Sequence, residues 1–571
     1  MVQAKFRKPV KPSIKKVSAN RAGGESFDIE CPVAKLISMV GGSFFAEPRY
    51  YDDEICLNKN SDKLVERISV AYDKTHSIPN ITINCENLDS VSHEIISTAW
   101  DILNGDNPKD LLHIACWLRT EMNIRLTPQV FLVLASRHSA AQQYVREYAT
   151  KIIQRPDEIK TAIVLHRFFF GMKNIKNCLS RGLSDAMSKV SEKALIKYEG
   201  KHWPSWKDVL NTIHRKKNYP VSKELYEYFC YGRTDKEKTP VAYYRSLLYK
   251  ETSFEENAKE YARKSSANWE VLLSKFGNTK EIWSFLIDED LLGYMALLRN
   301  LRNIVNADVS KEHIEKIAQK LSNEKEVINS RQLPFRYVSA AKILNEYIHG
   351  DHYSILMEAI EDAIDISIKN NMVDIPGTTV IFADNSGSMG CGVSGKSTIT
   401  CLDAANTLAA MFAKKSEKAK VFAFATAPCE VKFTKNTHTL ALAKSLKNAD
   451  TKGVCTYAHK CLEYLIDHKI KADRIILLSD MQCYDGYGDS SHRTMNDLWN
   501  TYRNHNPKCW LHSVDLHGYG DSSVLSDKYV SITGSFSEKI IGTLMDIEQG
   551  GSPKVTAETA PTATIEKIRT Y

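Results

Sequence analysis

From about residue 25 to about residue 370, apolar side chains recur at three- and four-residue spacing, and period-two alternation is scarce. That spacing predicts helices with one buried face. Asp110–Arg119, Thr127–His138, Trp206–Thr212, Trp283–Arg299 and Ile355–Ile368 carry it most clearly. Pro, Asn and Gly punctuate the joints, as at Thr127-Pro128, Arg155-Pro156, Trp203-Pro204 and Leu333-Pro334, because the residue before a proline is pushed out of helical conformation. Roughly 340 residues of successive helices are too many for one bundle. They predict a solenoid of helix pairs, each burying its apolar face against the next.

After Asn371 the period changes. Short runs of β-formers at Thr378–Ala383, Lys420–Ala425, Arg474–Leu478, Cys509–Val514 and Lys528–Ile532 alternate with helical stretches such as Ile399–Lys415 and Tyr457–His468. Strands alternating with helices predict βαβ units and a doubly wound, Rossmann-like parallel sheet. The expected division is a basic flexible tail at 1–24, a helical-repeat domain at 25–370, an α/β domain at 371–550 and a C-terminal tail at 551–571. Gln549–Thr564, rich in Gly, Pro, Ala and Thr, reads as loose or extended chain.

Charge changes this picture through its distribution. The net charge is +7 over 571 residues. Residues 1–21 hold seven Lys/Arg and no acid, and residues 166–217 hold twelve Lys/Arg against four acids, so these two segments carry +15 and the remainder −8. A basic tail and one basic segment on an acidic body suit a polyanion, although lysines also merely solvate helix faces. No apolar run approaches the ~18 residues that span a bilayer, and residues 1–24 lack an apolar signal core. The thirteen cysteines form no CxxC pair, which argues for reduced core thiols in a cytoplasmic protein.

The first predicted strand runs into Asp384-Asn385-Ser386-Gly387-Ser388-Met389, at the carboxyl edge where such sheets gather ligands. Asp384, Ser386 and Ser388 offer hard oxygen donors at alternate positions of a turn that Gly387 eases. They suit Mg²⁺, and Ca²⁺ or Mn²⁺ also match such donors. Thr456, opening a helix, and Asp480, ending a strand, arrive at the same edge to complete the donor set. Taken alone, Asp-x-Ser-x-Ser is an ordinary polar turn.

Gly390-Cys391-Gly392-Val393-Ser394-Gly395-Lys396-Ser397 matches a phosphate-binding loop literally, with Asp480 as its strand-end acid, which makes a P-loop ATPase a competing reading. A phosphate loop leaves its strand at the first Gly, however, and here six residues intervene after Ala383. No His-Glu-x-x-His, Gly-x-Ser-x-Gly or acidic two-metal cluster is visible, and the expectation is binding without catalysis.

Three stretches resemble the TROVE module of the Ro ribonucleoprotein (Ro autoantigen) family: Trp117–Glu121 through Gln129–Ala135; Lys197–Leu210 ending at His214-Arg215-Lys216-Lys217; and Met295–Asn303 followed by Leu333-Pro334-Phe335-Arg336. The Asp-x-Ser-x-Ser, Thr and Asp series resembles the metal-ion-dependent adhesion site of von Willebrand factor A (vWA) domains, which that family carries at its C-terminal end. That family commonly has Gly-Gly before the Thr, and the departure at Gly453-Val454-Cys455 leaves Thr451 as an alternative to Thr456. The resemblance implies a ring or arch of HEAT-like helical repeats that binds small structured (Y-like) non-coding RNAs and single-stranded 3′ ends of misfolded RNAs. It further implies a part in RNA quality control, association with exonucleases, a divalent-cation site, a monomer in the cytoplasm, and nuclear visits if the source is eukaryotic. On this reading Lys173, Lys176, Arg181, Lys197, Lys201, Lys207, His214, Arg215, Lys216, Lys217 and Arg299 address phosphate, while His202, Trp203 and Trp206 supply stacking rings, with core packing expected of Trp203 more than of Trp206. Burial beside an acid is expected for at least one of Arg299 and Arg302. The alternative function is metal-dependent adhesion, in which a protein partner offers an Asp or Glu to the cation.

Overall fold

The computed structural model describes residues 18–19, 25–28, 32–40, 67–69, 82–84, 90–122, 124–171, 174–199, 203–213, 220–332, 334–347, 350–392, 399–483, 493–516, 521–524, 529–534, 540–550 and 568–571. Among the described residues helices dominate up to Asn371, with a few strands of two to four residues before Ser90. Many start where a short polar side chain replaces a missing intrahelical partner: Ser191, Ser222, Asn268, Thr279, Ser310 and Asn323 each accept the amide three residues on. Each such cap stabilises its helix by about 1 kcal/mol. Gly171 and Gly232 end theirs in left-handed conformation.

The apolar run Trp283–Arg299 is two helices, Lys280–Asp288 and Tyr294–Asn306, rather than the single one its spacing predicts. Asp290 turns left-handed at φ +48° and Leu291 N–H closes back onto Leu286 O, so the chain reverses without losing its apolar face. Periodicity missed the break because Leu286, Leu292, Leu297 and Leu298 all face one core.

The helices form two lobes. The first core runs from Leu36 to Ala242. Inside it the fully buried Glu158 accepts from Arg119 at 2.9 Å and Arg125 at 3.2 Å, tying three helices through one carboxylate. Gly182 lets the helix Asn177–Met187 close onto Gln142–Ile152, since a Cβ there would collide with Ala149. The second core starts at Leu248 and continues into the α/β domain through the helices Asp351–Asn371 and Cys401–Lys415.

Eleven strands occur among the described residues: β1 (Ser18–Ala19), β2 (Glu25–Asp28), β3 (Arg67–Ser69), β4 (Thr82–Asn84), β5 (Ile375–Asp384), β6 (Ser416–Phe424), β7 (Pro428–Val431), β8 (Arg474–Ser479), β9 (Trp510–Asp515), β10 (Asp521–Ser522) and β11 (Val530–Gly534). The main sheet has the order β11-β9-β8-β5-β6-β7, parallel except for the antiparallel edge strand β7. Apolar residues of β5, β6, β8 and β9 fill cores on both faces, which is why these strands read as continuous apolar runs.

Both ends of the helical run meet this domain. At the far end Lys342 pairs with Asp403 at 2.8 Å, and Asp365 accepts from Thr439 at 2.7 Å. At the near end β2 pairs with β10, and the helix Pro32–Val40 contacts β11. β1, inside the basic N-terminal stretch, pairs with β2. Ile568–Tyr571 dock on the first lobe: Ile568 is buried in its core, Arg569 makes a two-pronged pair with Asp110, and Lys151 donates to Tyr571 O. No described helix is long and apolar enough to cross a membrane.

Candidate cation site and basic surface

β5 delivers Asp384 to the carboxyl edge between β6 and β8. Register sets Ala383 beside Leu478 and Ser479 beside Asp515, so Asp384, Ser479 and Asp515 form one row across three strands. Asp384 is fully buried; it accepts Ser386 N–H at 2.8 Å and Ser479 O–H at 2.6 Å. The Ser386 and Ser388 hydroxyls are 3.2 Å apart, with Ser386 buried and Ser388 exposed at the rim. Asp480 is also buried, and its Oδ1 accepts Gln482 N–H at 3.1 Å.

The surrounding backbone is tied down. Asn385 N–H donates to Phe424 O at 2.7 Å, and the Asn385 carboxamide bridges Asn406 and Leu446 O. Gly387 N–H donates to Val454 O at 3.0 Å, which seats the loop leading to Thr456 against the Asp-x-Ser-x-Ser turn. Gly453, at φ +147°, has no room for a side chain against Thr426. Thr456 is buried two residues beyond this contact, whereas the Thr451 hydroxyl donates to Gly453 O at 3.2 Å.

Burial pushes the Asp384 carboxyl up to about 7; the bonds from Ser386 and Ser479 hold it down and the charge of Asp480 raises it further. Two buried carboxylates that repel one another, with hydroxyls beside them, are a donor set matched to a hard divalent cation. Among the described residues no group of three or more His, Cys, Asp or Glu is gathered for a metal, so this set depends on its hydroxyls. Ser479, Asn385 and Asn406 escaped the sequence reading. Ser479 and Asn385 adjoin its acids, and that adjacency was the available signal.

The loop that matches a phosphate-binding motif is arranged otherwise. A 3₁₀ turn, Gly387–Gly390, follows the strand, Gly392 bridges Thr400 antiparallel, and the helix begins only at Cys401. Thr400 and Asp403 cap that helix reciprocally, so they occupy amides that a phosphate would take in such a loop. Lys396 lies outside the described residues.

Of the residues expected to meet RNA, Lys173, Lys201, His202, His214, Arg215, Lys216 and Lys217 lie outside the described residues. Lys176, Arg181, Lys197 and Lys207 are exposed. The acids of the same segment are engaged: Asp185 with Arg146, Glu192 with Ala242 N–H, Glu199 with Tyr228 and Asp208 with Ser205. Lys176, Arg181 and Lys207 have no carboxylate partner among the described residues. The segment therefore presents net positive charge.

Trp206 corrects the expectation of a stacking ring. It is 1% exposed, its indole N–H donates to Leu195 O at 2.8 Å, and the Lys160 ammonium lies 4.5 Å from its ring centre. Burial lowers the Lys160 pKa to about 8, against the pull of Glu199 and other acids. Trp203 takes the opposite role, 41% exposed with Arg167 over its ring at 4.8 Å. Trp206 opens a helix whose buried positions are Val209, Leu210 and Ile213, and that spacing turns it inward. Arg299 and Arg302 are both exposed, so the expected burial does not occur; Arg302 lies over the exposed Tyr347 ring at 5.1 Å.

Comparison with known proteins places these features together. Residues 257–350 match the TROVE domain family, and residues 379–504 match the Ro60 vWA domain family. Telomerase protein component 1 of Mus musculus is 25% identical over 370 residues, 55% of this chain, and that of Rattus norvegicus 24% identical over 377 residues, 57% of this chain. The match spans 14% of the length of each of those proteins. The crystal structure of the Ro (RSR) protein of Deinococcus radiodurans superposes with a TM-score of 0.58 at 14% identity, covering 80% of this chain and 93% of that one, which is a likeness of fold. A TROVE domain match in the helical part is thus followed by a Ro60-type vWA domain match in the α/β part, the order of domains that the sequence resemblance implies.

Proposed function

We propose that this protein is a Ro-type RNA-binding protein that takes single-stranded 3′ ends and small structured RNAs on its helical domain, without catalysing their turnover. The observation that carries the reading is the segment 166–217, where the acids are engaged by neighbouring groups while Lys176, Arg181 and Lys207 stand exposed. Such a surface gains affinity by releasing counterions from phosphates, and the exposed Trp203 adds a ring for an unpaired base. A part in RNA quality control beside an exonuclease, in the cytoplasm and as a monomer, belongs to the same proposal.

The test is retention of an RNA with a free single-stranded 3′ end against a blunt duplex of equal length, across a salt series. Preferential, steeply salt-dependent binding of the tailed RNA is expected. Equal binding of the two would sink the reading.

In the same proposal, Asp384, Ser386 and Ser388, with Thr456 and Asp480, hold a divalent cation, Mg²⁺ by donor type. When bound, the ion supplies a positive centre with a free coordination position. Asp384 carries charge to it, the Ser386 and Ser388 hydroxyls orient it, and the Asn385 and Gly387 backbone bonds keep the turn in shape. The exposed rim at Ser388 favours a second use, capture of an Asp or Glu from a protein partner. Metal-dependent capture of an acidic peptide, lost in Asp384→Ala while RNA binding persists, is the result that separates the two uses.

A further inference from the structure

We propose that Cys391 and Cys401 form a redox-modification site, joining as a reversible disulfide that clamps the turn carrying Ser388. Their Sγ atoms lie 3.5 Å apart. Cys401 N–H donates to Cys391 O at 2.9 Å, and the next residues inward, Gly392 and Thr400, form an antiparallel bridge. The two cysteines thus face each other beside a single antiparallel bridge. Opposed residues there have Cα atoms about 4.5–5.5 Å apart, within the span of about 4.4–6.8 Å that a disulfide bridges.

The environments divide the labour. Cys391 is half-buried at the end of the 3₁₀ turn, while Cys401 is fully buried at the first position of its helix. A low-molecular-weight disulfide such as oxidised glutathione meets Cys391 first. The Cys391 thiolate, its proton given to water, attacks one sulfur of the reagent, whose S–S bond breaks and releases one thiolate. Cys401, losing its proton in turn, then attacks the Cys391 sulfur of the mixed disulfide and expels the second thiolate. The protein loses two electrons and two protons, and the reagent leaves as two thiols.

The bond closes a ring over residues 391–401. Its outer end is tied to the cation turn, because Cys391 N–H donates to Ser388 O at 3.4 Å. Oxidation is therefore felt at Ser388. This second half rests on the cation reading above, and the formation of the disulfide does not.

The full chain is equilibrated in glutathione buffers of increasing oxidised fraction, quenched in acid, alkylated and mapped by peptide mass. The expected product is one intramolecular cross-link between the peptides of Cys391 and Cys401, with Cys401→Ser leaving a glutathione adduct on Cys391. Full alkylation of both cysteines where other thiols are already modified, or pairing of Cys391 elsewhere, overturns the proposal. Reduced and cross-linked forms are then titrated with Mn²⁺, with affinity expected to differ by about fivefold or more. Equal affinities overturn the coupling to Ser388, whereas no Mn²⁺ binding by either form overturns the cation reading and leaves the cross-link standing.

Discussion

At the carboxyl edge of the sheet the charge is negative, buried and fixed by neighbours; along residues 166–217 it is positive, exposed and held by little besides its helices. Asp384 has both oxygens engaged and sits in a turn whose backbone is bonded to two other loops. Lys176, Arg181 and Lys207 are exposed and have no carboxylate partner among the described residues. A buried carboxylate pair is an expensive arrangement that something must compensate, so it points to one kind of ligand at one place. An exposed cationic stretch costs almost nothing to maintain and points to a class of ligand spread along a surface.

The sharpest way to break this comparison is Asp384→Ala. Removing this buried carboxylate from the proposed donor set should abolish Mn²⁺ binding in a calorimetric titration while leaving RNA affinity unchanged; parallel loss of both would mean that the regions are not independent. Next comes the tryptophan pair. Trp206→Ala should lower stability by about 3–5 kcal/mol in urea unfolding, whereas Trp203→Ala should leave stability within about 0.5 kcal/mol and weaken single-stranded RNA by about 1–3 kcal/mol. The triple reversal of Lys176, Arg181 and Lys207 to Glu should flatten the log–log salt dependence of RNA binding by about 2 or more, at about 0.7 per phosphate contact on single strands. An unchanged slope would remove these residues from the surface.

The smallest effect concerns the seam between the domains. Burial works against the charge of Asp403, but Lys342, Lys447 and the Thr400 amide outweigh it and bring its pKa down to about 2. A folded pKa below the unfolded value means stability that is present above about pH 4 and is lost as pH falls through about 2. Asp403→Asn should therefore cost about 2 kcal/mol at neutral pH, and the gap from the parent chain should close near pH 2. A gap that persists there would assign the effect to packing.

The same contrast governs how much could be read from the chain. The fold class and the place of the Asp384 turn at a strand's carboxyl end were legible because buried elements leave periodic apolar runs and strand-end acids in fixed places. The fully paired Glu158 and the break at Asp290 were not, since both depend on which helix lies opposite. Trp203 and Trp206 were read the wrong way round for a related reason. Three residues apart and both beside lysines, they differ only in which of them begins the helix, and a composition window does not resolve that. Thr426, which supports the loop before Thr456, stands thirty residues away from it in sequence and reaches it only through the fold.

Arrays of stacked helices ordinarily fray, because a terminal unit has one neighbour where an inner unit has two. Here the first lobe is held by β2 on β10 and by Arg569 on Asp110, and the last helix before the sheet is held by its shared core. Among the described residues both ends of the array are held. Its amides should exchange with solvent as one cooperative block, with protection as high in Asp110–Thr120 as in Asp351–Asn371, and cutting the chain between Gly550 and Ile568 should release that protection from the first lobe before the second.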